Sequence, residues 1–250
     1  MINLGISGIT GRMGKKIVDI ISATEQKVFK ISCGLSSKNI DFNGIKVTND
    51  IDTFLDSCDF VIDFSSPKVL RELCLKNIKK KLPIISGTSG LSDNDIVELK
   101  NLATLTKVFW SMNTSFGMAA MIEVVKKLSI NLSDAEIEIH EKHHNKKIDS
   151  PSGTAMLIAR EIAKSRNLDE SWIKIDRNGK RNLFDIGISS ERAGNTIGEH
   201  EISFYFQNQK ISIKHEAFDR EIFASGAIKI AEILSKKECK SGFFTLENII

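Results

Sequence analysis

The chain has few cysteines and no long apolar run. Its four cysteines are scattered without a C-x-x-C pair, which disfavours a disulfide framework and a thiolate zinc site. Nowhere do 18 uninterrupted apolar residues occur, and the start MINLGISGITGRMG lacks a basic segment followed by a long apolar one. We therefore expect a cytoplasmic protein with no membrane partner.

A strong excess of either charge is also missing. The 250 residues carry a formal net charge of +3, with 27% charged and 41% hydrophobic residues, as in an ordinary globular protein. The lysine-rich run KNIKKK at 76–81 has no interleaved aromatic residues on which bases could stack, so we interpret it as a solvated helix end. These features favour a small-molecule ligand over a nucleic acid.

The first half of the chain alternates apolar runs with helical patterns. The run INLGIS is followed by the glycine-rich turn GITGRMG and the amphipathic segment KKIVDIIS, and further apolar runs are VFKISCGL, DFVIDFS, LPIISGTSG and KVFWSMN. This alternation predicts an α/β fold with a Rossmann-like, doubly wound parallel sheet. Ligands of such sheets bind beyond the carboxyl ends of the strands, so we expect a dinucleotide at the turns 8–13, 64–67, 87–90 and 111–114.

The end of the second predicted strand bears on the choice of dinucleotide. NAD enzymes of this type usually carry an acid there that holds the ribose hydroxyls. This chain has Ser36, Ser37 and Lys38 instead, with no acid before Asp41. Without that carboxylate a 2′-phosphate is not repelled, and these three residues together with Arg12 could bind it. The sequence therefore favours NADPH, or both NADPH and NADH.

The stretch HEKHH at 140–144 matches the H-E-x-x-H zinc signature of metalloproteases. That signature works on a helix, where residues i and i+4 share a face. Here Ile137 and Ile139 alternate with glutamates, which predicts a strand. On a strand His140 and His144 would stand about 13 Å apart, too far for one metal ion. We predict no metal, with a zinc hydrolase kept as an alternative.

The segment after this strand predicts an anion-binding loop. HHNKKIDSPSG leads into a helix over 153–165, and its Ser-Gly-Thr cluster offers backbone N–H groups to a carboxylate. Lys147 adds a cation, and the imidazoles of His143 and His144 are suited to proton transfer. A dinucleotide fold combined with such a pocket indicates a reductase of an anionic substrate.

The pattern E-x-H-H-x-x-K-x-D-x-P-S-G-T-A at 141–155 resembles the signature of bacterial dihydrodipicolinate reductases, also named 4-hydroxy-tetrahydrodipicolinate reductases, of lysine and diaminopimelate biosynthesis. The resemblance covers the whole chain and includes GITGRMG, DFSSP, SGTSG, MNTSFG, ERAGNTIGEHEI and KHEAFDREIFASGAIKIA. It implies NAD(P)H-dependent reduction of a cyclic dicarboxylate to tetrahydrodipicolinate. Hydride would go to ring C4, and a His/Lys pair would supply the proton.

The resemblance also implies roles for individual residues. The catalytic positions fall on His143 and Lys147, and the substrate-binding positions on His144, Gly153 and Thr154, beside Ser152 of the predicted helix N-terminus. The cofactor-binding positions that it implies are Gly8, Ile9, Thr10, Gly11, Arg12, Met13, Gly87, Thr88, Ser89, Ser111, Met112, Asn113, Thr114, Arg220 and Phe223. The residue patterns described above add Ser36, Ser37, Lys38 and Phe64. Many members carry an acid and an arginine where this chain has Ser36 and Ser37, which puts a preference for NADH in doubt.

Two domains follow from the order of the motifs. We expect a dinucleotide-binding domain over 1–113 and 222–250, and a substrate-binding and tetramerisation domain with a mixed sheet over 114–221. The resemblance implies a homotetramer. Two further functions stay open beside the zinc hydrolase: another Rossmann dehydrogenase acting on an amino-acid-derived acid, and a nucleotide sensor without turnover.

Overall fold

The computed structural model describes residues 1–25, 28–38 and 40–249. The chain divides into a first unit, Met1–Ser115 with Arg220–Ile250, and a second unit, Phe116–Asp219. Each unit has its own sheet and its own hydrophobic core. None of the helices in the described ranges is long and apolar enough to cross a membrane.

Eight strands, numbered along the chain, form the sheet of the first unit: β1 (Ile2–Ser7), β2 (Phe29–Leu35), β3 (Ile40–Phe42), β4 (Ile45–Thr48), β5 (Phe60–Asp63), β6 (Ile84–Ser86), β7 (Lys107–Trp110) and β13 (Gly242–Phe244). They are hydrogen-bonded in the order β13-β7-β6-β5-β1-β2-β4-β3. Neighbouring strands are parallel except for β3 and β4. The predicted doubly wound, Rossmann-like sheet is confirmed.

Among its described residues this unit has five α-helices: α1 (Arg12–Ala23), α2 (Ile51–Asp56), α3 (Pro67–Lys80), α4 (Asp93–Ala103) and α7 (Glu221–Lys236). Helices α2, α3 and α4 bury Phe54, Leu73 and Leu99 in one cluster with Val61 and Val108 of the sheet. Helix α1 packs against α7, which also contacts β5 and β6. Burying one apolar side chain of this size stabilises the fold by about 2 kcal/mol.

Three strands of this sheet, β3, β4 and β13, were not expected. The hairpin β3–β4 turns at Asn43 and Gly44, both with positive φ (54° and 75°), and the side chain of Asp41 accepts a hydrogen bond from the Gly44 amide at 2.9 Å. An Asn-Gly pair between apolar residues is the usual signature of such a turn. The terminal segment GFFTLENII adds β13 beside β7 and ends in a 3₁₀ turn, Leu246–Asn248.

The second unit contains α5 (Phe116–Asn131), β8 (Glu136–His143), α6 (Gly153–Ser165), a 3₁₀ turn (Glu170–Trp172), β9 (Ile173–Ile175), β10 (Ile186–Arg192), β11 (Gly198–Tyr205) and β12 (Lys210–Ala217). Its strand order is β12-β11-β8-β10-β9. Strand β8 runs parallel to β10 and antiparallel to β11. The predicted mixed sheet and the predicted helix over 153–165 are both confirmed.

One face of this second sheet packs against α5 and α6. Strand β8 alternates strictly, so that Ile137, Ile139, Glu141 and His143 are buried while the residues between them are not. The period of two therefore places two polar side chains, Glu141 and His143, in line with the core isoleucines. This alignment builds the polar cluster of the second unit.

Candidate active site

A cleft of about 370 Å³ lies at the carboxyl ends of β1, β2 and β5. Strand β1 has β2 on one side and β5 on the other, so this is the topological switch point at which doubly wound sheets bind ligands. Six predicted cofactor residues line the cleft: Gly8, Thr10, Gly11, Ser36, Ser37 and Phe64. Arg12, Met13 and Lys38 do not line it. Ser65 and Ser66 of the expected turn 64–67 also line it, and the unpredicted lining residues are Leu35, Asn49, Ile51, Val69 and Glu72.

Two glycines, Gly8 in the turn between β1 and α1 and Gly14 in the helix, lie too close to backbone atoms to carry a side chain. Gly8 has φ +78°, and a Cβ added there would lie 2.4 Å from the carbonyl oxygen of Phe64. A Cβ on Gly14 would lie 2.4 Å from the Gly8 carbonyl oxygen. Gly11 caps α1 with no side-chain hydrogen bond, so the first turn of the helix is capped by backbone alone. A pyrophosphate can come close to the backbone amides of such a helix N-terminus, so this turn fits a dinucleotide.

Backbone hydrogen bonds tie this turn to its neighbours. The Gly8 amide donates to Leu35 O at 3.0 Å, and the Phe64 amide donates to Ser7 O at 3.0 Å. The hydroxyls of Thr10 and Ser36 lie 3.0 Å apart. The predicted phosphate turn and the predicted ribose position are thus adjacent on this edge of the sheet.

A buried carboxylate organises the next two turns. Asp63 at the end of β5 is 0% exposed and accepts hydrogen bonds from Ser65 Oγ (2.5 Å), Ser86 Oγ (2.9 Å) and Thr88 Oγ1 (2.6 Å). Thr88 Oγ1 also accepts from the Ser65 amide at 3.1 Å. Asp63 therefore fixes the turn after β5 against the turn 87–90, in which Gly87, Thr88 and Ser89 were predicted to bind the cofactor.

The predicted residues after β7 meet those of α7. Thr114 Oγ1 donates to Phe223 O at 2.7 Å, and the Phe223 amide donates to Arg220 O at 3.0 Å. A Cβ on Gly226 would lie 2.0 Å from Thr114 O, so glycine is needed for this approach. Ser111 Oγ donates to Asn113 O at 2.7 Å, while Met112 between them is 37% exposed. These residues share one corner of the first unit.

The HEKHH stretch lies on and just after strand β8, so the strand prediction is confirmed. The exposed ring of His140 pairs through Nδ1 with Ser189 Oγ at 2.9 Å, on the opposite face from His143. Within residues 1–25, 28–38 and 40–249, no three His, Cys, Asp or Glu side chains are grouped closely enough to hold a metal ion.

Glu141 is the centre of the polar cluster in the second unit. Its carboxylate is 0% exposed and accepts from His143 Nδ1 (2.5 Å), from both terminal nitrogens of Arg192 (3.0 and 2.6 Å) and from the Ser152 amide (3.0 Å). Burial opposes its ionisation, but the hydrogen bonds from His143, Arg192 and Ser152 hold the pKa of Glu141 well below its usual range. The carboxylate is therefore ionised.

His200 lies beside this carboxylate on β11. It is 3% exposed, its Nε2 is 3.2 Å from Ser152 Oγ, and its ring meets that of His143 edge to face at 5.3 Å. Burial, followed by the neighbouring His143, lowers the pKa of His200 to about 3. The side chain is therefore a neutral packing partner of His143 at physiological pH.

The loop after β8 leads into the N-terminus of α6. Ser152 caps the helix by accepting from the Ala155 amide at 3.1 Å, so both its amide and its hydroxyl are engaged within the unit. Lys147 Nζ pairs with Asp149 Oδ1 at 2.8 Å, and this pairing counteracts burial to lower the pKa of Asp149. Gly153 and Thr154 form the first turn of the helix.

Four residues that shape these sites were not predicted as site residues: Asp63, Glu141, Arg192 and His200. A signal existed for Glu141, because the period of two along β8 places it on the face of Ile137 and Ile139, and a buried carboxylate requires partners. Asp63 ends an apolar strand in the same way. Arg192 and His200 stand in the quoted motif ERAGNTIGEHEI, but the motif did not show which residues they contact, since their partners lie on other elements.

Together, a glycine-lined cleft at the switch point of a doubly wound sheet and a separate His/Lys/helix-terminus cluster define a two-unit Rossmann-type oxidoreductase. Models of the dihydrodipicolinate reductase N-terminus and C-terminus match residues 2–114 and 117–250. The chain belongs to the dihydrodipicolinate reductase family. The predicted family is therefore confirmed, and with it an NAD(P)-dependent oxidoreductase of lysine and diaminopimelate biosynthesis that reduces 4-hydroxy-tetrahydrodipicolinate.

The chain is also similar to individual relatives over their full length. The chain is 35% identical to the 4-hydroxy-tetrahydrodipicolinate reductase of a Nitratiruptor species over 254 residues, covering 100% of this chain and 99% of the relative. It is 37% identical to that of Rickettsia rickettsii (strain Sheila Smith) over 249 residues, with the same coverage. The dipicolinate-bound dihydrodipicolinate reductase from Paenisporosarcina sp. TG-14 has the same fold (TM-score 0.80, 24% identity, 100% of both chains covered).

Proposed function

We propose that the first unit binds NADPH or NADH along the carboxyl edge of its sheet. The supporting observation is the cleft at the switch point, where Gly8 and Gly11 leave the backbone open to a pyrophosphate. The ribose would rest near Thr10, Ser36 and Ser37. Gly87–Ser89, Ser111–Thr114, Arg220 and Phe223 would hold the rest of the cofactor. The missing acid after β2 supports acceptance of NADPH.

The second unit would hold the cyclic dicarboxylate. Dipicolinate, bound to the Paenisporosarcina relative, is a ring with two carboxylates, and we extend that ligand class to this chain. One carboxylate would accept from the amides of Gly153 and Thr154 at the N-terminus of α6. Lys147 and His144 would contact the substrate from the loop after β8. Ser152 would place the helix, since its own polar groups are engaged.

The bound cofactor, His143 and Lys147 would each have a different task in the reaction. The hydroxyl on ring C4 of 4-hydroxy-tetrahydrodipicolinate would first leave as water, with a proton from the adjacent ring carbon, which gives a conjugated C=C–C=N system. When bound, NAD(P)H would supply the hydride, which the family reaction adds to ring C4 of that system. The electron pair displaced toward the ring nitrogen gives an enamine, whose C3 then takes a proton. We assign that proton to His143, and we assign stabilisation of the developing negative charge to Lys147. The ion pair of Lys147 with Asp149 keeps the cation in the loop before substrate arrives.

Assembly is a separate part of the proposal. The resemblance implies a homotetramer built through the sheet of the second unit. The face of this sheet that carries His140 and Glu138 presents charged and polar side chains, among them Glu201 and Lys214. We infer that copies of the chain meet on this face. Light scattering of the purified protein would give about 110 kDa, four times the chain mass of 27.8 kDa, and a monomer mass would refute the inference.

Lys147→Ala tests the assigned chemistry. NADPH and NADH oxidation is followed at 340 nm with substrate made in situ from pyruvate and aspartate semialdehyde by a synthase. Because Lys147 acts on the reacting ring, kcat should fall about 100-fold, while the nucleotide Kd stays within threefold. Lys146→Ala, in the same loop, is the matched control and should keep wild-type kcat. Equal losses of kcat and nucleotide affinity would contradict the chemical role of Lys147.

A further inference from the structure

We propose that Glu141 is the positioning residue of the second unit: it orients His143 for proton transfer and fixes the start of α6 relative to that histidine. The inference rests on the proposed function. Its basis is that one fully buried carboxylate, 0% exposed, bonds both His143 Nδ1 and the Ser152 amide. The proposed proton donor, His143, and the start of the proposed carboxylate-binding helix, α6, are therefore both hydrogen-bonded to Glu141.

The bond to His143 decides which ring nitrogen exchanges a proton. An ionised carboxylate can only accept hydrogen bonds, so Nδ1 must carry hydrogen and the proton for the substrate resides on Nε2. When Nε2–H gives its proton to C3, the enamine electron pair forms the new C–H bond. The imidazolium becomes a neutral imidazole that is still protonated on Nδ1. Glu141 stays ionised throughout.

The same ring is held from its other side. A Cβ on Gly198 of β11 would lie 3.1 Å from His143 Nε2, so glycine leaves only the room that this ring position needs. His200 meets the ring edge to face at 5.3 Å. Glu141 and His200 thus restrict the orientation of the ring from two directions, while Gly198 leaves room beside Nε2.

Arg192 links Glu141 to the loop that contains Lys147. Its guanidinium binds both carboxylate oxygens of Glu141, and its Nη2 also donates to Asp149 O at 2.8 Å. Asp149 in turn pairs with Lys147. Through Arg192, the Glu141 carboxylate therefore also restrains the loop that contains Lys147. Arg192 also supplies the positive charge that a buried Glu141 carboxylate requires.

Glu141→Gln tests whether Glu141 orients the His143 ring without contributing to the binding of dipicolinate. The glutamine oxygen can still accept from the Ser152 amide, but its NH₂ group donates to His143 Nδ1, which leaves a neutral ring with hydrogen on Nε2, a much weaker acid. We expect kcat to fall about 100-fold. The Kd of dipicolinate, measured by calorimetry with NADPH present, should stay within threefold. The solvent isotope effect on kcat should rise, because proton transfer becomes the slow step.

Glu170→Gln is the matched control, since Glu170 lies in the same unit and also pairs with an arginine, Arg160, at 3.1 Å, but stands on the 3₁₀ turn and not on the sheet. It should keep wild-type kcat and isotope effect. If Glu141→Gln fails to fold because Arg192 loses its counter-charge, Glu141→Gln/Arg192→Gln replaces it and should show the same kinetic change.

The outcomes separate the two claims. Absence of turnover in wild type and in Glu170→Gln would refute the proposed function, and the inference with it. Normal wild-type turnover together with a Glu141→Gln kcat within threefold of it would overturn the inference alone. So would parallel losses of kcat and dipicolinate affinity with an unchanged isotope effect.

Discussion

His200 should make the second unit sensitive to acid. Burial and the neighbouring His143 lower the pKa of His200 from 6.5 to about 3, so the folded chain keeps this ring neutral where the unfolded chain takes up a proton. Between these values the unfolded state binds more protons, and stability must fall as pH falls. One pKa unit corresponds to about 1.4 kcal/mol. Between pH 7 and pH 4.5, His200 alone should cost about 2.5 kcal/mol.

The measurement is urea unfolding of wild type and His200→Gln at pH 7 and pH 4.5. A Trp110→Phe background leaves Trp172 of the second unit as the fluorescent reporter, since the chain has two tryptophans. Glutamine does not titrate, so its free energy of unfolding should fall by about 2.5 kcal/mol less than that of wild type over this range. Equal losses in wild type and His200→Gln would refute the reasoning.

Two further predictions concern the nucleotide. Gly8→Ala should weaken NADPH binding about tenfold or more in a fluorescence titration, because its Cβ would lie 2.4 Å from Phe64 O at φ +78°. Gly44→Ala has a similar φ of +75° with nothing within 4 Å and should leave binding unchanged; equal effects would discount the steric argument. Ser36→Asp should lower kcat/KM for NADPH about tenfold relative to NADH, since it restores an acid at the ribose position. An unchanged ratio of the two rates would show that Ser36 does not face the 2′-position.

Much of the fold could be predicted because the hydrophobic pattern is regular. The alternation along β8 excluded a helical zinc site, and the order of apolar runs predicted the parallel sheet of the first unit. The β3–β4 hairpin was missed although Asn43-Gly44 is a clear turn signal. Strand β13 is three residues long, and its strand character depends on pairing with β7 rather than on its own sequence.

Only the site residues that belong to recognisable sequence motifs could be predicted. Six of the predicted cofactor residues line the cleft, because glycine turns at strand ends meet at one edge of a parallel sheet. The supports of these residues were not predictable in the same way. Glu141 and Arg192 are separated by 51 positions and meet only because β8 pairs with β10. Long-range pairing of this kind follows from the folded sheet and leaves no local pattern.

The most direct test of the account is the kcat of His143→Gln. With saturating NADPH and substrate made in situ, the variant should turn over about 100-fold or more slowly than wild type, because it has no acid to protonate ring C3. Its Kd values for NADPH and dipicolinate should stay within threefold of wild type. A variant that keeps wild-type kcat under these conditions would show that another group supplies the proton, and would contradict the central role given to His143 here.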